Sequence, residues 1–102
     1  MQYIVIAYDG DDVGALQRRL EARAAHLKLA RENYEKGILL SAAGILDDEG
    51  MMIGSMLLCD FPSRKELDQW LKIEPYVTSD VWKEINVNQA IIPPFLIKLD
   101  KE

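Results

Sequence analysis

The stretch ALQRRLEARAAHLKLARENYEK, residues 15–36, predicts one long amphipathic helix and contains the only histidine of the 102-residue chain, His26. Apolar side chains recur in it at spacings of three and four, which predicts a single stripe facing the core. The stripe consists of Leu16, Leu20, Ala24, Leu27 and Ala30. Arg19, Arg23 and His26 form a second row, about one residue further round the helix. A histidine bordering a buried face beside two arginines is typical of a small-anion or proton-transfer site, and also of a solvated helix edge.

Segments rich in Val, Ile, Leu and Tyr flank this helix and predict four strands. They cover residues 2–8, 38–46, 52–61 and 82–92. A second helix is predicted over 64–73, with Ser63 and Glu66 as a capping box, and a short helical turn or loop over 76–81. The order β-α-β-β-α-β predicts one ferredoxin-like α+β domain over residues 1–102. Such a domain has a four-stranded antiparallel sheet with its helices on one face.

Signals for the ends of the long helix lie beside it in the sequence. Asp11 or Asp12 is expected to cap the N-terminus, because a carboxylate accepts hydrogen bonds from the first free backbone amides. Gly37 is expected to end the helix, since glycine adopts a positive φ readily. Further along, Gly54 is expected either to let Ser55 reach a ligand or to allow close packing beneath a helix.

The composition argues against several classes of partner. A net charge of −5 argues against a nucleic acid, whose phosphates require a basic surface. No apolar run approaches the roughly 20 residues of a membrane-spanning helix. A single cysteine, Cys59, fits a reducing compartment, so we expect a cytoplasmic protein. One histidine and one cysteine on separate elements do not provide the usual ligands of a zinc site, and there is no glycine-rich phosphate loop. We therefore expect no metal and no cofactor.

The alternation within two strands predicts an assembly. In a single-layer sheet, the face away from the helices is usually polar. Here the segment 2–8 is apolar on both sides, because Ile4 and Ile6 alternate with Val5 and Ala7, and segment 52–61 is similar. A second copy of the sheet, packed face to face about a two-fold axis, is the simplest cover. We therefore expect a homodimer formed through the sheet.

Four short motifs, in order and at compatible spacing, make the chain resemble the YciI-like family. The family pattern R-L-x-x-R-x-x-H-L matches residues 19–27, and G-x-L-L-x-A-G is approximated by residues 37–44 with one extra residue. Gly54-Ser55 before an apolar run matches a third motif. Residues 70–76 match W-x-x-x-D-P-Y, with Glu74 in place of the aspartate. The resemblance covers nearly the whole chain and implies a dimeric α+β barrel of ferredoxin-like topology.

The resemblance also implies an active site in which His26 pairs with the carboxylate at position 74. Glu74 keeps that carboxylate and adds one methylene of reach. A carboxylate orients an imidazole and stabilises its charged form, so such a pair can act as general acid and base. The expected substrate-binding residues are Arg19, Arg23, Ser55 and Tyr76. The arginines suit a planar anion, since the guanidinium group donates two parallel hydrogen bonds.

We therefore predict a cofactor-independent enzyme of lyase, isomerase or dehydrohalogenase type, acting on a small anionic or aromatic molecule. A non-catalytic ligand-binding or interaction module with the same dimeric fold is the alternative, favoured by the change from aspartate to Glu74. A third hypothesis is a purely structural dimer whose pocket is filled by its own tail, residues 95–99. Each candidate residue also has a structural explanation: a hydrogen-bonded histidine, solvated arginines, or aromatic side chains in the core.

Overall fold

The structure, a computed structural model, describes residues 1–97 as four strands, three α-helices and one 3₁₀ turn. The strands are β1 (Gln2–Asp9), β2 (Leu39–Leu46), β3 (Met52–Asp60) and β4 (Trp82–Ala90). The helices are α1 (Ala15–Glu35), α2 (Arg64–Leu71) and α3 (Pro75–Thr78), and the 3₁₀ turn is Pro94–Leu96. The predicted β-α-β-β-α-β order is confirmed, with α3 as an additional turn before the last strand. None of the helices in residues 1–97 is long and apolar enough to cross a membrane.

The strands form one antiparallel sheet in the order β2-β3-β1-β4. The central strand β1 pairs with β3, where Ala7 lies opposite Ser55. On its other side β1 pairs with β4, where Asp9 lies opposite Trp82 after a register shift. The end of β1 therefore brings Asp9, Ser55 and Trp82 close together at one end of the sheet.

Strands β1 and β3 are apolar on both faces of the sheet, as the alternation predicts, whereas the outer face of β4 carries Glu84, Asn86 and Asn88. Val5 and Leu57 face the helices, and they form the core together with Leu67 of α2. On the opposite face lie alternate residues of β1 and β3, and these are only partly buried. They include Ile4, Ile6, Met56 and Leu58.

Helix α1 is rotated about its axis relative to the predicted orientation. Its buried residues are Ala15, Arg19, Ala22, His26 and Asn33. The predicted core stripe instead borders solvent, since Leu20 is 56% exposed and Leu27 44% exposed. The prediction that the leucine stripe faces the core is therefore wrong. Arg19 and His26 of the polar row can face inward because buried acceptors from β1, β3 and the turn before α3 satisfy them, whereas Arg23 stays exposed.

The N-terminus of α1 corrects a second prediction. Neither Asp11 nor Asp12 caps the helix; its N-cap is Gly14, which makes no side-chain hydrogen bond. Asp12 accepts the Gly14 N–H at 3.2 Å and pairs with Arg18 through two contacts of 2.8 Å. The hydrogen bond from Arg18 holds the pKa of the Asp12 carboxyl below its usual range. Asp12 thus fastens the loop to the first turn of α1 rather than ending the helix.

Other local predictions agree with the structure. Gly37 has φ +79° and follows the last turn of α1, which confirms its role as the stop. The Ser63 side chain accepts the Glu66 N–H at 3.3 Å and so caps α2. The close approach at Gly54 is between strands, because a Cβ there would lie 2.4 Å from the carbonyl oxygen of Ala7.

The apolar tail does not fold back onto its own chain where it is described. Strand β4 ends at Ala90, two residues before the predicted end. Phe95 and Leu96 are 79% and 60% exposed. The described part of the predicted pocket-filling tail, residues 95–97, therefore fills no pocket of the chain, and the remainder lies outside the described residues.

Candidate active site

At the centre of the candidate site, His26 on the buried face of α1 meets Glu74, the residue before α3. The Nδ1 of His26 lies 2.8 Å from Oε2 of Glu74. Glu74 is fully buried and His26 is 9% exposed. The second carboxylate oxygen, Oε1, accepts the backbone N–H of Tyr76 at 2.7 Å, so Glu74 is also the N-cap of α3. Pro75 fits the first helical position because its fixed φ suits a helix and its missing N–H is not needed there.

The ring of Tyr76 is held between two side chains of α1. The His26 ring stacks on it with centroids 3.8 Å apart and planes within 7°. The Arg19 guanidinium carbon lies 4.7 Å from the centroid of the same ring. Because the imidazole covers one face, the guanidinium lies over the other. Ala22, buried between Arg19 and His26 along the helix, contributes only a methyl group and leaves room for the ring.

Arg19 is anchored by a buried ion pair with Asp9 at the end of β1. Its Nε donates to Oδ2 at 2.7 Å and its Nη2 to Oδ1 at 3.1 Å, and both side chains are at most 4% exposed. Nη2 also donates to Ser55 Oγ at 2.8 Å, and Trp82 Nε1 donates to the same oxygen at 3.3 Å. Asp9 was not predicted as a site residue. An arginine on a buried helix face requires a buried carboxylate, and that requirement could have indicated that an acidic residue such as Asp9 belongs to the site.

Two polar atoms of the site make no hydrogen bond within the described residues. Among residues 1–97, the buried side-chain nitrogen or oxygen atoms without a hydrogen-bond partner are Nδ2 of Asn33 and Nε1 of Trp70. Nε2 of His26 and the hydroxyl of Tyr76 also make no hydrogen bond among these residues. His26 is 9% exposed and Tyr76 2% exposed, so both atoms are unpaired although little of either side chain meets solvent. Arg23, the remaining predicted residue, is exposed on α1.

Burial keeps the tyrosine of the site neutral. Burial raises the pKa of Tyr76, although the positive charges of Arg19 and Arg23 oppose the shift. The Tyr76 phenol therefore stays protonated at neutral pH and can donate a hydrogen bond. Within residues 1–97, no three His, Cys, Asp or Glu side chains are grouped so as to hold a metal ion.

Two surface grooves of the chain lie away from the His26–Glu74 pair. One, of about 730 Å³, runs between the end of α1 and the start of α2, and its lining includes Lys36 and Lys65. The other, of about 550 Å³, lies between α1 and the edge strand β2, beside Leu27 and Tyr34. Neither is lined by a predicted site residue, so their size is no guide to the chemistry.

A family model described as the YCII-related domain matches residues 1–91 of this chain. The chain belongs to the YCII-related family. Two curated YCII-related proteins, both called Protein YciI, come from Escherichia coli O6:H1 and Shigella flexneri. Each is 30% identical over 93 residues, which cover 85% of this chain and 93% of the relative.

Solved structures show the same fold at lower identity. A 5-chloro-2-hydroxyhydroquinone dehydrochlorinase from Burkholderia phenoliruptrix, in complex with 2,5-dihydroxybenzoquinone, is similar with a TM-score of 0.78 and 21% identity. The match covers 93% of this chain and 98% of that one. A dimeric ferredoxin-like protein of unknown function from Jannaschia has a TM-score of 0.53 at 17% identity, over 89% and 98% of the chains. An antibiotic biosynthesis monooxygenase has 0.54 at 15%, over 90% and 100%.

Proposed function

We propose that the chain is a cofactor-independent enzyme in which His26 transfers protons to and from a small substrate while Glu74 orients the His26 ring. The observation that carries the proposal is the contrast between the two edges of the imidazole. Nδ1 is hydrogen-bonded to a fully buried carboxylate, whereas Nε2 makes no hydrogen bond within residues 1–97. A ring fixed on one side and unpaired on the other is the arrangement that a general base requires.

The hydrogen bond between Glu74 and Nδ1 determines which imidazole nitrogen acts as the base. Its oxygens face two N–H groups, that of the Tyr76 backbone and that of the imidazole Nδ1. A carboxylate that accepts from Nδ1–H leaves the lone pair of the neutral ring on Nε2. Nε2 is thus the atom that removes a proton from the substrate, and the resulting imidazolium, stabilised by Glu74, returns it to the product.

A small anionic or aromatic molecule fits the groups around Nε2. Arg23 offers an exposed cation, and the neutral Tyr76 hydroxyl offers a donor beside aromatic rings. Arg19 and Ser55 were expected from the sequence to contact substrate, but they are hydrogen-bonded to one another. In this proposal the Arg19–Ser55 hydrogen bond fixes the guanidinium over the Tyr76 ring and so holds that ring in place. The dehydrochlorinase of the same fold, named for a hydroxylated chloroaromatic compound, supports a lyase or dehydrohalogenase reaction.

We propose further that the protein is a homodimer formed through the outer sheet face and that it works in the cytoplasm. Ile4, Ile6, Met56 and Leu58 leave that face apolar and partly exposed, and a protein of the same fold is described as dimeric. The single buried cysteine, Cys59, supports a reducing compartment. An Ile6→Lys substitution should then halve the mass measured by light scattering, and an unchanged mass would contradict the sheet interface.

The first experiment reads the protonation of the sole histidine by long-range ¹H–¹⁵N NMR. In the wild type, the neutral ring should carry its proton on Nδ1. In Glu74→Gln, the amide oxygen is needed by the Tyr76 N–H, so the NH₂ group faces Nδ1 and should force the proton to Nε2. Glu49→Gln, at an exposed position in the turn between β2 and β3, should change nothing. The same tautomer in the wild type and Glu74→Gln would remove the basis for the acid–base pair.

The second experiment separates an enzyme from a binding module with the same fold. The binding module has support in the site itself, because the exposed Arg23, whose charge acts on Tyr76, can hold an anion without any proton transfer by His26. Hydroxylated and carboxylated aromatic compounds, with and without chlorine, should be screened for turnover and for binding. For an enzyme, His26→Gln abolishes turnover while the fold and binding persist. For a binding module, no compound is turned over and Arg23→Gln weakens binding.

A further inference from the structure

The acid–base mechanism makes no use of Asp9, although Asp9 forms one of the two shortest contacts of the buried network. Its Oδ2 lies 2.7 Å from the Nε of Arg19, and its side chain is 4% exposed. It lies at the end of β1, on a different element from either member of the acid–base pair. Burying two charges is costly, so this pair needs a reason beyond stability.

A chain of contacts leads from Asp9 to the imidazole. Asp9 fixes both Nε and Nη2 of the Arg19 guanidinium. The guanidinium lies over one face of Tyr76, 4.7 Å from the ring centroid. His26 lies on the other face at 3.8 Å with nearly parallel planes. The imidazole plane is therefore set by Glu74 at its edge and by Tyr76 at its face.

The charge of Asp9 is also required for Arg19 to stay in this position. Without Asp9, the guanidinium would be a buried cation whose only remaining hydrogen-bond partner within residues 1–97 is the neutral Ser55 hydroxyl. Such a cation moves towards solvent or towards another carboxylate, and Glu74 is the other carboxylate of the site. Either movement uncovers one face of Tyr76 and loosens the stack with His26.

We propose that Asp9 is a positioning residue for the His26–Glu74 pair, acting through Arg19 and Tyr76. The proposal rests on the acid–base function proposed above. It assigns the orientation of the base, His26 on α1, in part to Asp9 on strand β1. It requires the imidazole to change its environment when Asp9 changes, and a purely structural ion pair has no such requirement.

The chain provides a matched control in a second bidentate Asp–Arg pair on the same helix. Asp12 and Arg18 are joined by two contacts of 2.8 Å. Their side chains are 52% and 27% exposed, and within residues 1–97 neither takes part in the His26–Tyr76 stack or in the cation–π contact over Tyr76. Asp12→Asn therefore removes the same kind of pair without touching the stack.

The test is the ¹H NMR shift of the His26 ring protons in the full-length chain, at a pH where the imidazole is neutral. Protons above the face of an aromatic ring are shielded, so the wild-type signals should lie upfield of those of the unfolded chain. Asp9→Asn should lose most of that displacement, while Asp12→Asn keeps it. An unmoved signal in Asp9→Asn, or an equal movement in Asp12→Asn, would overturn the proposal.

A double variant keeps the test decisive if Asp9→Asn does not fold. Asp9→Asn/Arg19→Met buries no uncompensated charge, yet it removes the guanidinium from Tyr76. The folded double variant should also lose the upfield displacement, and a retained displacement would overturn the proposal. The shift measures the stack and not the tautomer. A failure of the Glu74→Gln experiment above would therefore be distinguishable from a failure here.

Discussion

Replacing leucine by alanine at Leu20 and at Leu67 tests the orientation of α1. Both residues are helical leucines, but Leu67 is fully buried and Leu20 is 56% exposed. Truncating a buried leucine costs about 2–5 kcal/mol, through lost transfer free energy and the cavity that remains. A fully buried leucine contributes about 1.5–3 kcal/mol by transfer alone. Since less than half of Leu20 is buried, we expect Leu20→Ala to cost no more than about 1.3 kcal/mol.

The assay is urea unfolding followed by circular dichroism, with all variants at one protein concentration. The midpoints of the wild type and Leu20→Ala should lie close together, and that of Leu67→Ala should be far lower with a similar slope. If Leu20→Ala costs as much as Leu67→Ala at every protein concentration, the leucine stripe faces the core and the orientation of α1 is refuted. A cost that changes with concentration would mean that copies of the chain cover the stripe.

Two further predictions follow from the same site and core. Ala22→Leu should lower the free energy of unfolding by about 1–3 kcal/mol in urea, because the added carbons compete with the Tyr76 ring for space. The matched change at an exposed position, Ala25→Leu, should cost less than about 0.5 kcal/mol. Equal costs would contradict the packing of the Tyr76 ring against Ala22. Burial raises the pKa of the Cys59 thiol from 9.0 to about 12. The unfolded chain therefore loses this proton first, so the stabilising contribution is full below pH 9 and is lost as the pH rises towards about 12. The fall of stability with pH should be shallower in Cys59→Ala over that window, and identical slopes would contradict the shift.

The fold could be predicted from local patterns because strands and turns carry their signals within a few residues. Alternation in residues 2–8 fixed the two faces of β1, and Gly37 and Ser63 marked helix ends through their own backbone preferences. Helix α1 itself was predicted within one residue at its end. These features depend on neighbours in sequence, and a single sequence contains those neighbours.

The orientation of α1 could not be predicted in the same way. Its leucine row and its polar row have nearly the same spacing, and hydrophobicity alone favours the leucines. What reverses the choice is the set of acceptors that the polar row meets. Asp9 lies 10 residues from Arg19, and Glu74 lies 48 residues from His26. The contact with Glu74 exists only after the chain has folded. The family motif identified the histidine and the carboxylate as partners, but it carried no information on Asp9.

The two hydrogen bonds of Glu74 couple the position of the His26 ring to the folding of the short helix α3. One carboxylate closes α3 through the Tyr76 amide and fixes the imidazole through Nδ1. Whenever the four-residue helix opens locally, the Tyr76 amide becomes free to exchange with solvent and the imidazole loses its partner in the same event. The rate of amide exchange at this one position thus reports the fraction of time that the proposed His26–Glu74 pair is apart. It does so in the resting protein, without a substrate.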